Sequence, residues 1–204
     1  MWSKVVHTTI GQKMVQEIMT NTSKLGLKYH NIRHINSMYE FLAEHKVPYS
    51  EALDWAVLGH DYIYDADPFK EERSALALYY IMFNTNMCEQ MTNEAVSLVL
   101  ATKDHILTKG SVNEMAIIKA DLHELAKPAA RANNYSAIVL ECANLYNLAI
   151  KDIQCKNSEF MDGLASRMRQ NLKFIGDNNL ADRDFFGRVI VGISDTCSRK
   201  DKPV

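Results

Sequence analysis

Residues 52–64, ALDWAVLGHDYIY, place two ionisable side chains in a helical pattern of apolar residues. Leu53 and Val57 recur with His60 and Asp61 at the spacing of one helix face, and the tyrosine that ends the stretch continues it. A buried carboxylate beside a buried imidazole is unfavourable unless each has a partner. Because a divalent cation satisfies both groups, we interpret this stretch as a central helix that carries part of a metal site.

The 3.6-residue period of this stretch continues along almost the whole chain. Glycine is sparse, prolines number only 4, and the alternating pattern of strands is scarce. The last apolar stripe is the least regular, because its VIVGI segment is also compatible with a strand. We predict an all-α fold, a single domain over residues 1–204 with about seven to nine helices. Its core spans about 27–127, C-terminal helices follow over 132–195, and residues 196–204 form a frayed tail.

Capping residues predict where individual helices begin and end. Gly26 is placed to end the first helix, since glycine is favoured after the last helical turn. Ser50 and Thr92 are expected to cap the central helix and the fifth helix. Ser111 and Glu114 have the spacing of a capping box, in which each side chain bonds a free backbone N–H group of the other residue.

The composition favours a cytoplasmic protein. The net charge is −2 with acidic and basic residues interspersed, so we expect no nucleic-acid polymer as a partner. Four separated cysteines without a CxxC pair argue against a zinc ribbon and against a disulfide framework. The start of the chain lacks the apolar core of a signal peptide, and no run approaches the ~20 apolar residues of a membrane span. These features are compatible with a homodimer.

Asp121 is a further acidic residue at a position that the pattern predicts to be buried. Ile117, Ile118 and Leu122 define the apolar face of the sixth helix, and Asp121 falls within that face. A carboxylate there caps a neighbouring helix, pairs with an arginine or binds a metal, because an unpaired one is strongly unfavourable. The presence of the His60–Asp61 pair in the same chain favours a shared metal.

The segment YHNIRH at residues 29–34 adds two histidines. We expect a second helix over about 29–44, on which His30 and His34 are neighbours because they are four residues apart. His34 lies beside the apolar stripe that contains Ile35 and Met38, so its ring is expected to point inward. A single inward histidine is usually a hydrogen-bonded core residue. The order His, His-Asp, Asp along the chain favours a ligand instead.

This order resembles the H…HD…D pattern of the HD-domain metal-dependent phosphohydrolases. One branch of that superfamily has a Tyr-His-Asn-x-x-His opening and an Asn-Glu-Glu-x-Ser-Ala segment after the His-Asp pair. The chain is similar to it from about residue 29 to 125, through the segments YHNIRH, HDYIYD, EERSA, ATKDH and ADLHEL. Lys70 stands where the branch has asparagine, and the segments on either side of this match resemble no family.

The resemblance implies an HD-type helical domain and a metal held by His34, His60, Asp61 and Asp121. Two imidazoles and two carboxylates suit one or two divalent ions such as Mn, Fe, Co, Ni, Zn or Mg. Such an ion activates water and polarises a phosphoryl oxygen. We therefore expect a phosphohydrolase that acts on a phosphate ester or anhydride of a small metabolite, with a nucleotide as the favoured substrate.

The resemblance also suggests supporting roles for residues around the ligands. Asp65 and Glu72, with Glu71 beside the latter, are expected to orient the attacking water or to accept its proton. For the two glutamates, a solvated first helical turn is the plain alternative, because acids are favoured there. His105 is a second-metal ligand or a phosphate contact.

Two further cations complete this set of expected roles. Lys103 and His30 are placed to neutralise the charge of a bound phosphate. We assign no phosphate contact to Arg33 and Arg73, whose side chains are compatible with a position in solvent.

Other functions fit the same residues less closely. In HD-type alarmone hydrolases a Glu-Asp pair follows the His-Asp pair, whereas this chain has Tyr64 and Asp65 at those positions. A non-catalytic HD-fold module that binds a metal or nucleotide is a second alternative. A helical domain whose polar core residues bond one another is the simplest. The chain contains no P-loop, GxSxG or HExxH motif, which disfavours the corresponding enzyme classes.

Overall fold

The computed structural model describes residues 2–127, 131–178, 180 and 183–198. Those residues form nine α-helices and one short 3-10 helix, Val5–His7, with no strand among them. In chain order the α-helices are α1 (Thr9–Leu25), α2 (Ile32–Glu44), α3 (Glu51–Gly59), α4 (Lys70–Asn84), α5 (Glu89–Asp104), α6 (Val112–Leu122), α7 (Arg131–Tyr146), α8 (Ile150–Asp177) and α9 (Arg183–Ser198). The all-α prediction is confirmed.

The last apolar stripe is helical rather than extended, because the VIVGI segment lies within α9. The first residues of the predicted tail, 196–198, continue α9. The rest of that tail, 199–204, lies outside the described residues.

Two of the predicted helix ends are confirmed by their hydrogen bonds. Gly26 follows α1 in the left-handed conformation, with a φ of 66°, which glycine adopts without a steric penalty. The Ser50 hydroxyl accepts the N–H of Leu53 at 3.3 Å and so caps α3.

Other predicted ends differ from the structure, each for a local reason. The second helix begins at Ile32 rather than near residue 29, because the Asn31 side chain accepts the N–H of Arg33 and caps it there. Thr92 does not cap α5 but lies within it, where its hydroxyl donates to the carbonyl of Cys88.

The capping box at the start of α6 is half formed. The Ser111 hydroxyl accepts the Glu114 N–H at 3.1 Å, as predicted. The Glu114 carboxylate, however, accepts N–H groups from the preceding loop instead of returning to Ser111.

The central helix is shorter than the pattern predicts, and this change positions the His-Asp pair. Helix α3 ends at Gly59, and His60 and Asp61 lie in the turn that follows. On α4, the Ser74 hydroxyl accepts the N–H of Ile63 and donates to its carbonyl, so those backbone groups bond a side chain instead of continuing the helix. The pair therefore lies directly after the last turn of a buried helix, not within the helix as the pattern predicts.

Helix α3 is the centre of the packing. It contacts α1, α2, α4, α5 and α6, and every one of its residues except Glu51 is buried. A helix that is apolar on all sides is expected to be enclosed in this way. Buried side chains of the C-terminal helices, including Met168, Ile175 and Phe186, belong to the same hydrophobic cluster. Within the described ranges, no helix has both the length and the apolar character needed to cross a membrane.

Candidate metal centre

The structure brings together three of the four predicted metal ligands. His34 comes from α2, His60 from the turn after α3, and Asp121 from α6. One ligand atom of each lies within 4.8 Å of those of the other two. His34 Nε2 is 2.9 Å and His60 Nε2 is 3.9 Å from Asp121 Oδ1. Three elements that are distant in sequence therefore converge on one point.

Asp61, the fourth predicted ligand, joins this group through His60. Its Oδ2 atom lies 3.0 Å from His60 Nε2, and its side chain is 14% exposed. His60 Nε2 consequently faces a carboxylate oxygen from Asp61 on one side and from Asp121 on another. The two carboxylates repel each other, which a cation between them would offset.

The imidazole of His60 is held in the orientation that a metal ligand requires. Its Nδ1–H group donates to the Val57 carbonyl at 2.9 Å, so Nε2 is the nitrogen that faces the two carboxylates and that offers an electron pair once it is deprotonated. Among the described residues Nε2 has no hydrogen-bond partner, although it is buried. Metal-binding histidines are commonly fixed by such a backbone contact of the second nitrogen.

The charges around His60 favour its protonated form when no metal is present. Burial lowers the pKa of His60, but the carboxylates of Asp61 and Asp121 outweigh burial and raise it to about 9. A metal that binds here must therefore displace a proton.

Asp121 is shared between two histidines. Its Oδ1 faces His34 Nε2, and its Oδ2 faces His105 Nε2 at 2.8 Å. Burial raises the pKa of Asp121, but the contacts with His105 and His34 hold it well below its usual range. Of the roles that the sequence left open for this buried carboxylate, contact with imidazoles is the one in the described structure, and no arginine or helix cap is bonded to it there.

The donor atoms fit a divalent ion. Bonds of about 2.0–2.2 Å to nitrogen and oxygen place adjacent ligands about 3 to 3.5 Å apart. The separations of 2.9 Å between His34 and Asp121 and of 3.9 Å between His60 and Asp121 are close to this range. Asp61 meets it through His60, at 3.0 Å, and lies outside the group of three whose ligand atoms are all within 4.8 Å of one another. Two imidazoles with two carboxylates suit Mn, Fe, Co, Ni or Zn.

Helix α8 positions His105, although the two are far apart in sequence. His105 ends α5 in the left-handed conformation, with a φ of 55°, which is unfavourable for a residue with a side chain. The buried Asn171 amide donates to the His105 carbonyl at 2.7 Å and accepts the Leu107 N–H at 2.8 Å. Asn171 was not among the predicted site residues, although it lies on the buried face of its helix between Met168 and Ile175.

A cavity of about 430 Å³ lies beside these residues. All three predicted phosphate contacts line it: His30, Lys103 and His105. The full set of charged or ionisable histidine, acid and lysine side chains in its wall is His30, Asp61, Lys70, Glu71, Lys103, His105 and Asp121. Lys70 thus reaches the cavity, at the position where the resembling branch has asparagine.

The two predicted acid–base residues do not line this cavity. Asp65 binds Arg73 at 2.8 Å in a partly exposed ion pair. Glu72 pairs with Lys103, and that contact lowers the pKa of Glu72. Glu71, by contrast, lines the cavity, and its Oε1 atom lies 2.8 Å from the ammonium nitrogen of Lys70. Of the two adjacent glutamates, Glu71 and not Glu72 therefore lies in the described wall of the cavity.

His30 is held by a buried glutamate that the sequence analysis did not select. The Glu141 carboxylate, fully buried on α7, accepts the N–H groups of Tyr29 and His30 and contacts His30 Nδ1. The Tyr64 ring stacks on the imidazole of His30 at 4.1 Å between centroids. Glu141 lies three residues after Ile138 on the apolar face of α7, so the helical period already indicated that this glutamate is buried.

Comparison of the chain with protein-family models, with curated proteins and with solved structures finds no match. The functional interpretation therefore depends on the positions and chemistry of the residues described above.

Proposed function

We propose that this chain is an HD-type metal-dependent phosphohydrolase whose divalent ion is held by His34, His60, Asp61 and Asp121. The observation that carries this proposal is His60 Nε2, a buried nitrogen with no hydrogen-bond partner among the described residues. It lies between two carboxylates, and its ring is fixed by the Val57 carbonyl. A buried polar atom left without a partner is costly, which supports a ligand at this point.

Phosphate is the substrate group that the cavity favours. Its wall contains Lys70, Lys103 and two histidines beside the proposed ion site. When bound, a divalent ion supplies an acidified water and a Lewis acid that polarises a phosphoryl oxygen. Lysine ammonium groups bind phosphate oxygens as point charges. Lys70 and Lys103 are therefore suited to hold and orient the transferred group, and in doing so they exchange their contacts with Glu71 and Glu72 for the phosphate.

The remaining side chains divide between positioning and proton transfer. Glu141 fixes His30, so that its ring remains at the cavity wall next to Tyr64. Glu71 lies in the cavity and is suited to accept a proton from water. Asp65 and Glu72, the acid–base residues that the sequence favoured, reach the substrate only if they leave Arg73 and Lys103.

The expected substrate is a phosphate ester or anhydride of a small metabolite, with nucleotides as the first group to test. Alarmone hydrolysis is the weaker variant, because Tyr64 replaces the expected glutamate and Asp65 is bound to Arg73. A module that binds metal or nucleotide without turnover is the alternative from another class.

The test is hydrolysis of a panel of phosphate esters and nucleotides by the Mn-loaded protein, including an alarmone. We expect turnover by the wild type and its loss in Asp61→Ala, with the helical circular dichroism spectrum retained. Asp177→Ala is the matched control, because Asp177 is an exposed aspartate at the end of α8.

The outcome distinguishes the alternatives. A wild type that binds metal but hydrolyses no member of the panel with any first-row divalent ion contradicts the enzyme and favours the binding module. A wild type that binds no metal contradicts both.

A further inference from the structure

The cavity beside the metal centre has two walls of different chemistry. The charged and histidine side chains in its described lining come from the part of the chain between His30 and Asp121. Among the described residues, α7 and α8 contribute no charged side chain to the lining. Their contribution is mainly aliphatic and aromatic, including Ile138, Ile153 and Leu164. A molecule in this cavity therefore meets charge on one side and apolar surface on the other.

The described residues of the apolar wall offer little hydrogen bonding to a sugar or a nucleobase. Of the described residues of α7 and α8 that line the cavity, only Cys142 and Tyr146 carry a thiol or a hydroxyl group. No amide or carboxylate of those residues lines it, whereas sites for hydroxyl-rich ligands are usually built from such groups. Hydroxyl or ring-nitrogen groups buried here would lose their bonds to water without replacement.

Two aromatic side chains of this wall are exposed to solvent. Phe160 is 51% exposed and Tyr146 is 46% exposed, although both line the cavity. Covering such surface with an apolar group is favourable by about 25 cal/mol for each Å² removed from water. The cavity of about 430 Å³ is in the lower part of the range for small-molecule sites, so it accepts one small ligand.

We infer that the phosphate group of the substrate is carried by an apolar body, aliphatic or aryl, that packs against α7 and α8. This inference rests on the proposed function for the position of the phosphate, which lies at the wall formed by Lys70, Lys103 and the ion site. It narrows the substrate class from phosphorylated metabolites in general to amphipathic phosphate esters. A nucleoside monophosphate is then the weaker ligand.

Binding of alkyl phosphonates tests the inference without requiring turnover. The Mn-loaded protein is titrated calorimetrically with the series from methyl- to octylphosphonate and with AMP as the polar reference. We expect Kd to fall about fourfold for each added methylene, which is the ~0.8 kcal/mol of one buried CH₂ group, until the cavity is full. Hexylphosphonate is expected to bind more tightly than AMP.

A pair of variants locates the binding of the alkyl chain. Phe160→Ala removes an exposed aromatic side chain from the apolar wall and is expected to reduce the gain per methylene. It leaves the Kd of methylphosphonate unchanged, because that ligand does not reach α8. Phe83→Ala is the matched control, since Phe83 is 62% exposed on α4 and does not line the cavity. It should leave the whole series unchanged.

The results separate this inference from the proposed function. Equal Kd values along the series, tighter binding of AMP, or identical behaviour of the two phenylalanine variants overturns the apolar body. A gain with chain length in a protein that hydrolyses no phosphate ester supports the apolar site and overturns the phosphohydrolase. Failure of every phosphonate to bind in the presence of Mn overturns both.

Discussion

Asp54 and Asp61 are both aspartates of the same buried region, yet their surroundings differ in kind. The Asp54 carboxylate accepts the Ser3 hydroxyl at 2.6 Å and the N–H groups of Lys4 and Val5 at 2.7 and 3.0 Å. It is fully buried, and these donors satisfy both of its oxygens. Its role is therefore to attach the N-terminal segment to α3.

Glu114 is a second acid of this kind. It is 4% exposed and accepts N–H groups from Thr108, Lys109 and Gly110, together with the Thr108 hydroxyl. These bonds hold its pKa below the usual value although burial opposes them. The carboxylate closes the loop between α5 and α6.

At the proposed metal centre the carboxylates face imidazoles instead of backbone donors. Asp61 and Asp121 lie against His60, His34 and His105, and His60 Nε2 lacks a hydrogen-bond partner among the described residues. The comparison teaches that burial of an acid does not by itself mark a functional site. A buried polar atom that faces two carboxylates and still has no hydrogen-bond partner among the described residues is the stronger indication.

Loss of a metal-facing group should have the largest effect on metal binding. We expect His60→Gln to weaken Mn binding by more than the roughly 10- to 100-fold that loss of an outer partner produces, because a ligand itself is removed. Calorimetric titration measures the change. His45→Gln is the control, since His45 is exposed after α2 and lies outside the centre. Equal affinity in the two variants contradicts the assignment.

Loss of a structural carboxylate should instead affect folding. Asp54→Ala leaves buried N–H groups without acceptors, and we expect it to lower the free energy of unfolding by about 3 kcal/mol. Urea denaturation of metal-free protein measures this value, and the Mn affinity of the folded variant should equal that of the wild type. If Asp54→Ala instead loses most of its Mn affinity and keeps its stability, Asp54 is not a purely structural carboxylate, and the contrast with Asp61 and Asp121 fails.

The protonation of His60 predicts how metal affinity depends on pH. Because its pKa is raised to about 9 in the metal-free protein, binding competes with one proton. We expect the apparent Mn affinity to rise roughly tenfold per pH unit between about 6.5 and 9 and then to level off. Titrations at several pH values provide the measurement. An affinity that stays constant over this interval is inconsistent with His60 as a ligand.

The raised pKa of His60 also predicts that the metal-free protein becomes less stable as pH rises, whereas its metal affinity increases. The folded pKa of His60 is above its ordinary value of about 6.5, so the stabilisation is fully present below pH 6.5 and is lost as pH rises through 9. Urea midpoints of metal-free wild type should fall across this interval. In His60→Gln the urea midpoint should fall less between pH 6.5 and 9, because the contribution of His60 is absent. If the midpoint falls as much as in the wild type, the raised pKa does not belong to His60.

The smallest expected effect concerns the glutamate behind His30. Glu141→Gln and His30→Gln should each reduce the proposed phosphohydrolase activity about tenfold, since loss of an outer partner has effects of this order. The double variant should be little worse than either single variant, because the two residues act as one unit. Additive losses in kcat/KM would indicate that Glu141 acts independently of His30.

The fold could be predicted because helical periodicity is a local property. Apolar spacing gave the all-α class and most helices, and Gly26 and Ser50 gave two of their ends. Positions where a side chain competes for backbone groups could not be predicted in this way. Ser74 bonds the Ile63 backbone from another helix, and α3 therefore ends before His60.

The centre was predictable in part for the same reason. His34 and Asp121 are polar residues on apolar helix faces, so the sequence alone indicated that they point inward. The same pattern placed His60 on a helix face, whereas it lies in the turn after α3 and still reaches the other two. Their shared location depends on contacts between α2, α3 and α6, which no local pattern contains. Asn171 and the apolar cavity wall depend on the packing of the C-terminal helices, and a single sequence gives no distance between those helices and the centre.

The most direct test of the account is the metal content of the protein purified without chelator. Elemental analysis should find about one divalent first-row ion per chain in the wild type and in Asp54→Asn. Asp54 is the control position, because its carboxylate accepts backbone N–H groups outside the proposed centre. The ion should be absent from Asp121→Asn, whose carboxylate faces His34 and His105. A wild type that contains no ion and binds none on addition, or an Asp121→Asn variant with undiminished metal, would contradict the proposed centre.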